Sequence, residues 1–174
     1  LLGEMTAAAL LMQANIKFNG AIILQIQGDG PLKLAVVEVQ PDFSVRATAT
    51  IKGEIADNAT LTDMVNVNNE GRCAITLDPK DRMPGQQAYQ GVVPLFDDEG
   101  KPINVFSKVL QHYMLQSEQL DTCLVLAAND QLAAGLLIQR LPMAGEGNLG
   151  AEDANVAHED GIGTSEDYNR IATL

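Results

Sequence analysis

The chain contains few of the residues from which catalytic and metal sites are built. Its 174 residues include two cysteines, two histidines and no tryptophan. Cys73 and Cys123 are far apart and belong to no C-x-x-C pair, so the sequence predicts no metal site in this segment. His112 and His158 have no recognisable orienting partner, and a Gly-x-Ser-x-Gly elbow is absent. The sequence therefore favours a protein that is not an enzyme.

Basic residues and long apolar runs are scarce as well. The 11 Lys and Arg are outnumbered by 23 Asp and Glu, which leaves a formal net charge of -12. This field repels phosphate backbones and anionic lipids, so neither nucleic acid nor a membrane is an expected partner. No apolar run approaches the roughly 20 residues of a membrane helix, and residues 1–11 lack the basic flank of a secretory signal. We expect a soluble, cytoplasmic protein without a disulfide.

The first 142 residues combine many strand-like segments with a few helical ones. Helices are predicted over residues 1–14, from Asp57 or Asn58 to about Val67, and from an Asn104 N-cap to about Gln116. The buried stripe of the last helix would be Phe106, Val109, Leu110, Tyr113 and Met114. Strands are predicted over residues 16–18, 21–27, 32–39, 43–52, 72–77, 88–95, 123–128 and 132–141.

The order of these segments predicts the fold class. Asn19-Gly20 suits a type I′ turn and would join the first two strands as a hairpin, and Asn129-Asp130 would join the last two. Strands that follow one another as hairpins favour an α+β domain of antiparallel sheets with a few packed helices. We expect this domain to span residues 1–142.

The composition changes after this domain. Residues 143–164 are rich in Gly, Asn, Glu and Asp, which is typical of a flexible acidic loop. Thr164 and Asp167 have the spacing of a capping box, so residues 165–174 are expected to begin a terminal helix.

Two segments could be mistaken for ligand sites. The glycines of Gly28–Pro31 could let backbone N–H groups converge on an anion, but the spacing of a phosphate loop is missing and a strand follows. A tight turn is therefore predicted. Ser117–Gln119 could offer a carboxylate for acid or base chemistry, but capping where a helix meets a strand is the favoured role.

Four sequence blocks carry a resemblance to a known family. In chain order they are QIQGDGPLKLAVVE at 25–38, YQGVVPL at 89–95, YMLQSEQLDTCLVL at 113–126 and AGLLIQRLP at 134–142. Together they resemble the amino-terminal domain of the heat shock protein 33 family of bacterial stress-response chaperones. The resemblance implies an ATP-independent, redox-regulated holdase that binds unfolding proteins, prevents their aggregation under oxidative stress and works as a homodimer.

The resemblance also implies a cofactor outside this segment. The family's switch is a carboxyl-terminal module that holds zinc through a C-x-C and a C-x-x-C pair, and disulfide formation there releases the metal. Neither Cys73 nor Cys123 matches these positions, so zinc is expected only in a part of the protein beyond residue 174.

One segment suggests where unfolding clients would bind. Residues 43–52 alternate between apolar and polar positions, which predicts a strand with one wet face. Together with residues 92–95, expected in the same sheet, it forms the predicted surface for clients and for docking of the covering module, which comprises Phe43, Val45, Ala47, Ala49, Ile51, Val92, Val93 and Leu95. The alternatives are that this apolar face is ordinary core, and that the chain is a small enzyme or a plain oligomerisation domain.

Overall fold

The computed structural model describes residues 1–83, 85, 87–140 and 171. Within this part of the chain, helices form at α1 (Leu2–Asn15), α2 (Leu61–Val65) and α3 (Phe106–Glu118). The strands are β1 (Gly20–Gln27), β2 (Leu32–Val39), β3 (Val45–Ile51), β4 (Arg72–Pro79), β5 (Tyr89–Pro94), β6 (Thr122–Ala128) and β7 (Ala133–Gln139).

The strands form two antiparallel sheets. The larger sheet has five strands in the order β3-β2-β1-β4-β5, and the smaller is the β6-β7 hairpin. This arrangement confirms the predicted α+β class with antiparallel sheets.

Helix α1 packs against both sheets. It contacts β1, β2 and β3 of the larger sheet and β6 and β7 of the smaller one, and it buries Met5, Ala8, Ala9 and Met12. Gly3 lies so close to the smaller sheet that an added Cβ would be 2.6 Å from the Cβ of Ala128. Small residues on α1 therefore let the helix and the hairpin approach closely.

The core-facing side of the larger sheet is built from alternate residues of its inner strands. On β1 these are Ile22, Leu24 and Ile26, all without exposed surface. Burial of one such side chain contributes about 1.5–3 kcal/mol to folding. Because side chains directly opposite each other on paired strands share a face, the pairing of Leu24 with Val37 and Ile75 continues this apolar side across three strands.

The predicted hairpin at Asn19-Gly20 is wrong. Residues 16–18 form no strand, and β1 pairs with β2 and β4 instead. The Asn19 carbonyl accepts a hydrogen bond from the Lys80 N–H at 3.0 Å, and a Cβ at Gly20 would collide with the Asp78 carbonyl oxygen and the Phe18 ring. Tertiary pairing with the end of β4 thus replaces the local turn. The predicted hairpin at Asn129-Asp130 is confirmed.

The N-caps of two helices also differ from the prediction. Helix α2 begins after Thr60, which forms a reciprocal capping box with Asp63, and not after Asp57 or Asn58. Helix α3 begins after Val105, which makes no side-chain cap. Asn104 instead accepts a hydrogen bond from Thr62 Oγ1 at 2.6 Å and one at its carbonyl from the Leu61 N–H at 3.1 Å. It therefore connects the start of α2 to the segment that precedes α3.

The predicted inner face of α3 is largely confirmed. Four of its five residues are buried and Met114 is half-buried. The helix continues to Glu118 and ends at Gln119, which adopts the left-handed conformation common at helix ends.

The segments predicted after residue 142 lie outside the described residues, as do Leu141 and Pro142. The exception is Ile171, which is helical. No helix in the described part of the chain is long and apolar enough to cross a membrane.

The predicted turn at Gly28–Pro31 is confirmed, and Asp29 gives it a structural role. The Asp29 carboxylate accepts hydrogen bonds from the N–H groups of Val67 at 2.7 Å, Asn68 at 2.8 Å and Glu70 at 3.0 Å. Partial desolvation raises the pKa of this carboxyl, but these donors outweigh it and hold the pKa below its ordinary value of 3.8. Asp29 thereby attaches the β1–β2 turn to the loop after α2.

We predict that Asp29→Ala lowers the free energy of unfolding by about 1–2 kcal/mol at neutral pH, because three backbone N–H groups lose a charged acceptor. A carboxyl whose pKa is lowered on folding stabilises the protein above its unfolded pKa, and this stabilisation is lost as the pH falls through the folded pKa. Guanidinium unfolding of the parent and the variant should therefore show a difference in stability that shrinks from about pH 7 to about pH 3.

Asp29→Asn is the matched control, since it keeps an acceptor oxygen but removes the charge. An equal loss of stability at both pH values in Asp29→Ala would contradict the role of the ionised carboxylate.

Candidate functional site

Strand β3 carries four of the eight predicted surface residues, follows shortly after Phe43 and lies at an edge of the larger sheet. All seven of its residues are exposed, and Phe43, Val45 and Ile51 are 51%, 41% and 56% exposed. The expectation that only one face of this strand is wet is therefore wrong. In the larger sheet helix α1 packs mainly on β2. Both faces of the edge strand β3 reach solvent.

The apolar residues of β3 nevertheless share one side of the sheet. We call Val45, Ala47, Ala49 and Ile51 the β3 apolar side. Cross-strand partners on β2 show its direction, because Val45 pairs with Val39, Ala47 with Val37 and Ala49 with Ala35, and all three partners are buried. The β3 apolar side thus continues the core-facing side of the sheet past its buried part.

The predicted residues of β5 and beyond do not join this surface. Val93 and Leu95 are 0% and 1% exposed, so they are core residues and their inclusion in the predicted surface is corrected. Val93 pairs with Cys73, which places it on the core-facing side. Val92 is 63% exposed, but it alternates with Val93 along the strand and so lies on the opposite face of the sheet. The structure therefore brings the β3 residues together and leaves Val92 at the far edge.

The opposite face of the larger sheet mixes polar and apolar residues, and its central row is uncharged. A row of paired residues crosses this face: Thr48, Val36, Gln25, Ala74 and Val92. A shallow depression of about 220 Å³ lies over this face between residues that include Gln27, Arg72 and Gln90. Gln90 Nε2 also donates a hydrogen bond to Thr76 Oγ1 at 3.0 Å.

A second exposed apolar area lies on the β6-β7 hairpin and was not predicted from the sequence. Val125 and Leu136 are directly paired and are 57% and 56% exposed, and Leu132 at the tip is 66% exposed. The signal in the sequence is that both faces of these strands are apolar. That pattern is typical of a strand buried on both faces, so it did not indicate exposure.

The polar segment Ser117–Gln119 has a structural role. Glu118 Oε1 accepts a hydrogen bond from the Tyr113 hydroxyl at 2.9 Å, and the Tyr89 hydroxyl lies 3.3 Å from that of Tyr113. Burial raises the pKa of Tyr113, and its hydrogen bonds to Tyr89 and Glu118 raise it further. The Tyr113 ring lies against Gly91, where an added Cβ would be 2.6 Å from the hydroxyl oxygen. The hydrogen bonds and ring packing of Tyr113 thus hold α3 against β5.

The remaining candidates for chemistry are not assembled into a site. His112 Nε2 lies 3.5 Å from Asp98 Oδ1, and Gln116 Nε2 also donates to Asp98 at 3.1 Å, so this pair belongs to a surface network. Among the described residues no three His, Cys, Asp or Glu side chains form a group able to hold a metal ion. His158 lies outside the described residues.

The two cysteines are in different environments. Cys73 is on β4 with no exposed surface, and burial raises the pKa of its thiol to about 12. Cys123 is half-buried on β6, and the two are not joined by a disulfide. Because the thiolate is the reactive form, Cys73 is inert in the folded protein.

Comparison with known proteins identifies the family. The Hsp33 protein family model matches residues 1–171. A "33 kDa chaperonin" of Chromobacterium violaceum is 50% identical over 141 residues, which cover 81% of this chain and 44% of that protein. A "33 kDa chaperonin" of Actinobacillus pleuropneumoniae is 39% identical over 178 residues, covering all of this chain and 50% of that protein.

A solved structure supports the fold. The 33 kDa chaperonin (heat shock protein 33 homolog) of Thermotoga maritima matches with a TM-score of 0.55 and 20% identity, covering 77% of this chain and 45% of that one. The fold and the sequence together define an α+β domain of a known protein family. The chain belongs to the Hsp33 family, and it spans about half the length of the curated relatives that it matches.

We predict that the thiols of Cys73 and Cys123 will be alkylated at different rates. Under native conditions iodoacetamide should label Cys123 at least about tenfold faster than Cys73, because burial keeps the Cys73 thiol protonated and inaccessible. Mass spectrometry of peptides from timed samples measures both rates. Cys123→Ser is the control, since Cys73 labelling should be unchanged in it, and rapid native labelling of Cys73 would contradict the described burial.

Proposed function

We propose that the protein is an ATP-independent holdase that binds unfolding proteins and prevents their aggregation under oxidative stress in the bacterial cytoplasm. Membership of the Hsp33 family and the name "33 kDa chaperonin" of its relatives support this proposal. The single observation on this chain that carries it is the exposed β3 apolar side, together with Phe43 at its end. Exposed contiguous apolar surface is typical of sites that bind other polypeptides.

The arrangement of this surface suits varied clients. The β3 apolar side lies on an edge strand, so a bound segment meets apolar side chains and the outer backbone edge of the strand together. Extended polypeptides bind sheet edges through backbone hydrogen bonds, which do not depend on client sequence. A holdase needs this tolerance because different proteins expose different apolar segments as they unfold.

Independence from nucleotide is supported by the Gly28–Pro31 turn. This segment joins two antiparallel strands and does not lead into a helix, and it presents the carboxylate of Asp29. The segment therefore lacks the N–H donors at a helix start that form a P-loop, and its carboxylate would repel phosphate.

We further propose that redox control resides outside the described part of this chain. The resemblance implies zinc in a carboxyl-terminal module, and the cysteines of this chain do not fit a zinc site. Cys73 is buried on β4 and Cys123 lies on β6, and no further ligands gather around them among the described residues. We therefore expect the 174-residue chain to suppress client aggregation equally well in oxidising and in reducing buffer.

The working assembly that we propose is a homodimer. The larger sheet has β3 and β5 at its edges, and each carries exposed apolar residues such as Val45 and Val92. Edges of this kind are available to a second copy unless they are covered.

We predict that the 174-residue chain suppresses aggregation of citrate synthase diluted from guanidinium chloride, at roughly stoichiometric ratio and without ATP. Light scattering at 25 °C measures the effect. Ala47→Asp should raise the amount of chain needed for half-maximal suppression about fivefold or more, because it places a charge in the β3 apolar side.

Thr48→Asp is the matched control, since Thr48 neighbours Ala47 on the same exposed strand but faces the opposite side of the sheet. Equal effects of the two variants would contradict the assignment of clients to the β3 apolar side. Failure of the parent chain to suppress aggregation at any ratio would contradict the holdase proposal itself.

We also predict a concentration-dependent monomer–dimer equilibrium for the chain. Sedimentation equilibrium over a range of protein concentrations should fit twice the monomer mass at the upper end, because mass action favours association there. A single monomer mass throughout this range would refute dimerisation through these residues, independently of the aggregation assay.

A further inference from the structure

Phe43 adopts a backbone conformation that its side chain disfavours. Its φ angle is 63°, in the left-handed region that Gly and Asn populate readily. Among the described residues Asn69 and Gln119 also have positive φ, but Asn tolerates this region and Gln119 ends a helix. Phe43 is therefore a bulky residue that holds a left-handed backbone conformation away from any helix end.

The turn between β2 and β3 imposes this conformation. The Gln40 N–H donates to the Ser44 carbonyl at 2.9 Å, and the Phe43 N–H donates to the Gln40 carbonyl at 2.9 Å. Asp42 Oδ1 accepts hydrogen bonds from the Ser44 N–H at 2.9 Å and from Ser44 Oγ at 2.6 Å. These bonds fix a tight turn in which the third of its three central residues must be left-handed.

Packing does not offset the strain. The Phe43 side chain is 51% exposed and does not belong to the hydrophobic core. Gly or Asn at this position would relieve the backbone and would also remove an exposed aromatic ring from water. A residue that is disfavoured on both counts points to a function of the ring.

We propose that Phe43 is a client-contact residue, whose ring is held at the tip of the β2–β3 turn to bind apolar segments of unfolding polypeptides. This inference rests on the proposed holdase function. The rigid turn reduces the entropy lost when a client binds, and aromatic rings contribute strongly to polypeptide recognition. The formal net charge of -12 disfavours acidic partners, so the bound segment is neutral or positively charged.

The test compares stability with client protection in the same variants. Phe43→Asn and Phe43→Gly should unfold at equal or higher guanidinium concentration than the parent, because both relieve the backbone. Both should nevertheless need about fivefold more chain for half-maximal suppression of citrate synthase aggregation, the change expected when a contact worth about 1 kcal/mol is lost. Phe43→Tyr keeps the ring and should protect like the parent.

Leu132→Asn is the matched control, because Leu132 is an exposed apolar residue at the tip of the other hairpin. It should leave protection unchanged. An equal loss in Leu132→Asn and Phe43→Asn would show that only total apolar exposure matters, and would overturn the proposal.

Two further outcomes would also overturn it. Full protection by Phe43→Asn, with a protective parent, would refute the role of the ring while leaving the holdase function intact. A shift of Phe43→Asn to monomer in sedimentation equilibrium, with a dimeric parent, would assign the ring to contact with a second copy instead of clients.

A peptide assay tests the chemistry of the bound segment. Fluorescence anisotropy should show that a labelled Leu- and Phe-containing peptide flanked by lysines binds the parent at least about fivefold more tightly than it binds Phe43→Asn. The same peptide flanked by glutamates should bind the parent more weakly than the lysine-flanked peptide. Equal binding of the lysine-flanked peptide to the parent and to Phe43→Asn would contradict the proposal.

Discussion

The burial of helix α1 between the two sheets is the interaction on which the remaining structure depends. Met5, Ala8 and Ala9 have no exposed surface, and the helix packs against five strands of the two sheets. A helix that meets apolar neighbours on several sides must be apolar on several sides, and small residues such as Gly3 allow the close approach. The position of α1 also determines which part of the larger sheet is covered. In that sheet the helix packs mainly on β2 and also touches β1 and β3, and the residues of β3 nevertheless remain exposed.

The exposed surfaces follow from this geometry. The β3 apolar side is continuous with the core-facing side of the sheet, yet it reaches solvent because it lies at the edge. Phe43 adds an aromatic ring at the end of the same strand, at the cost of a strained backbone. Exposed apolar surface lowers solubility, and a strained backbone lowers local stability. The proposed holdase function gives a reason for both features. The acidic residues of the chain favour solubility in the presence of such surface.

The hydrogen bonds of several polar residues give them structural roles in the fold. Asp29 satisfies three backbone N–H groups of the loop after α2, and Glu118 accepts a hydrogen bond from Tyr113 beside β5. Asn104 joins the starts of two helices. Each of these groups could be listed as a candidate ligand from its residue type. In the fold each one links two segments of the chain.

Periodicity predicted most strands, the inner face of α3 and the α+β class, because alternation and helical spacing are local properties of the chain. The resemblance carried by the blocks around Gly28–Pro31 and Ser117–Gln119 correctly indicated the Hsp33 family. Three features were decided by contacts distant in sequence: the pairing of β1 with β4 in place of a hairpin at Asn19, the burial of Val93 and Leu95, and the exposure of Val125. An alternating pattern shows that a strand has an apolar side, but the sequence alone does not state whether another element covers it. That depends on which strands lie at the sheet edges and where α1 packs, and only the tertiary structure specifies both.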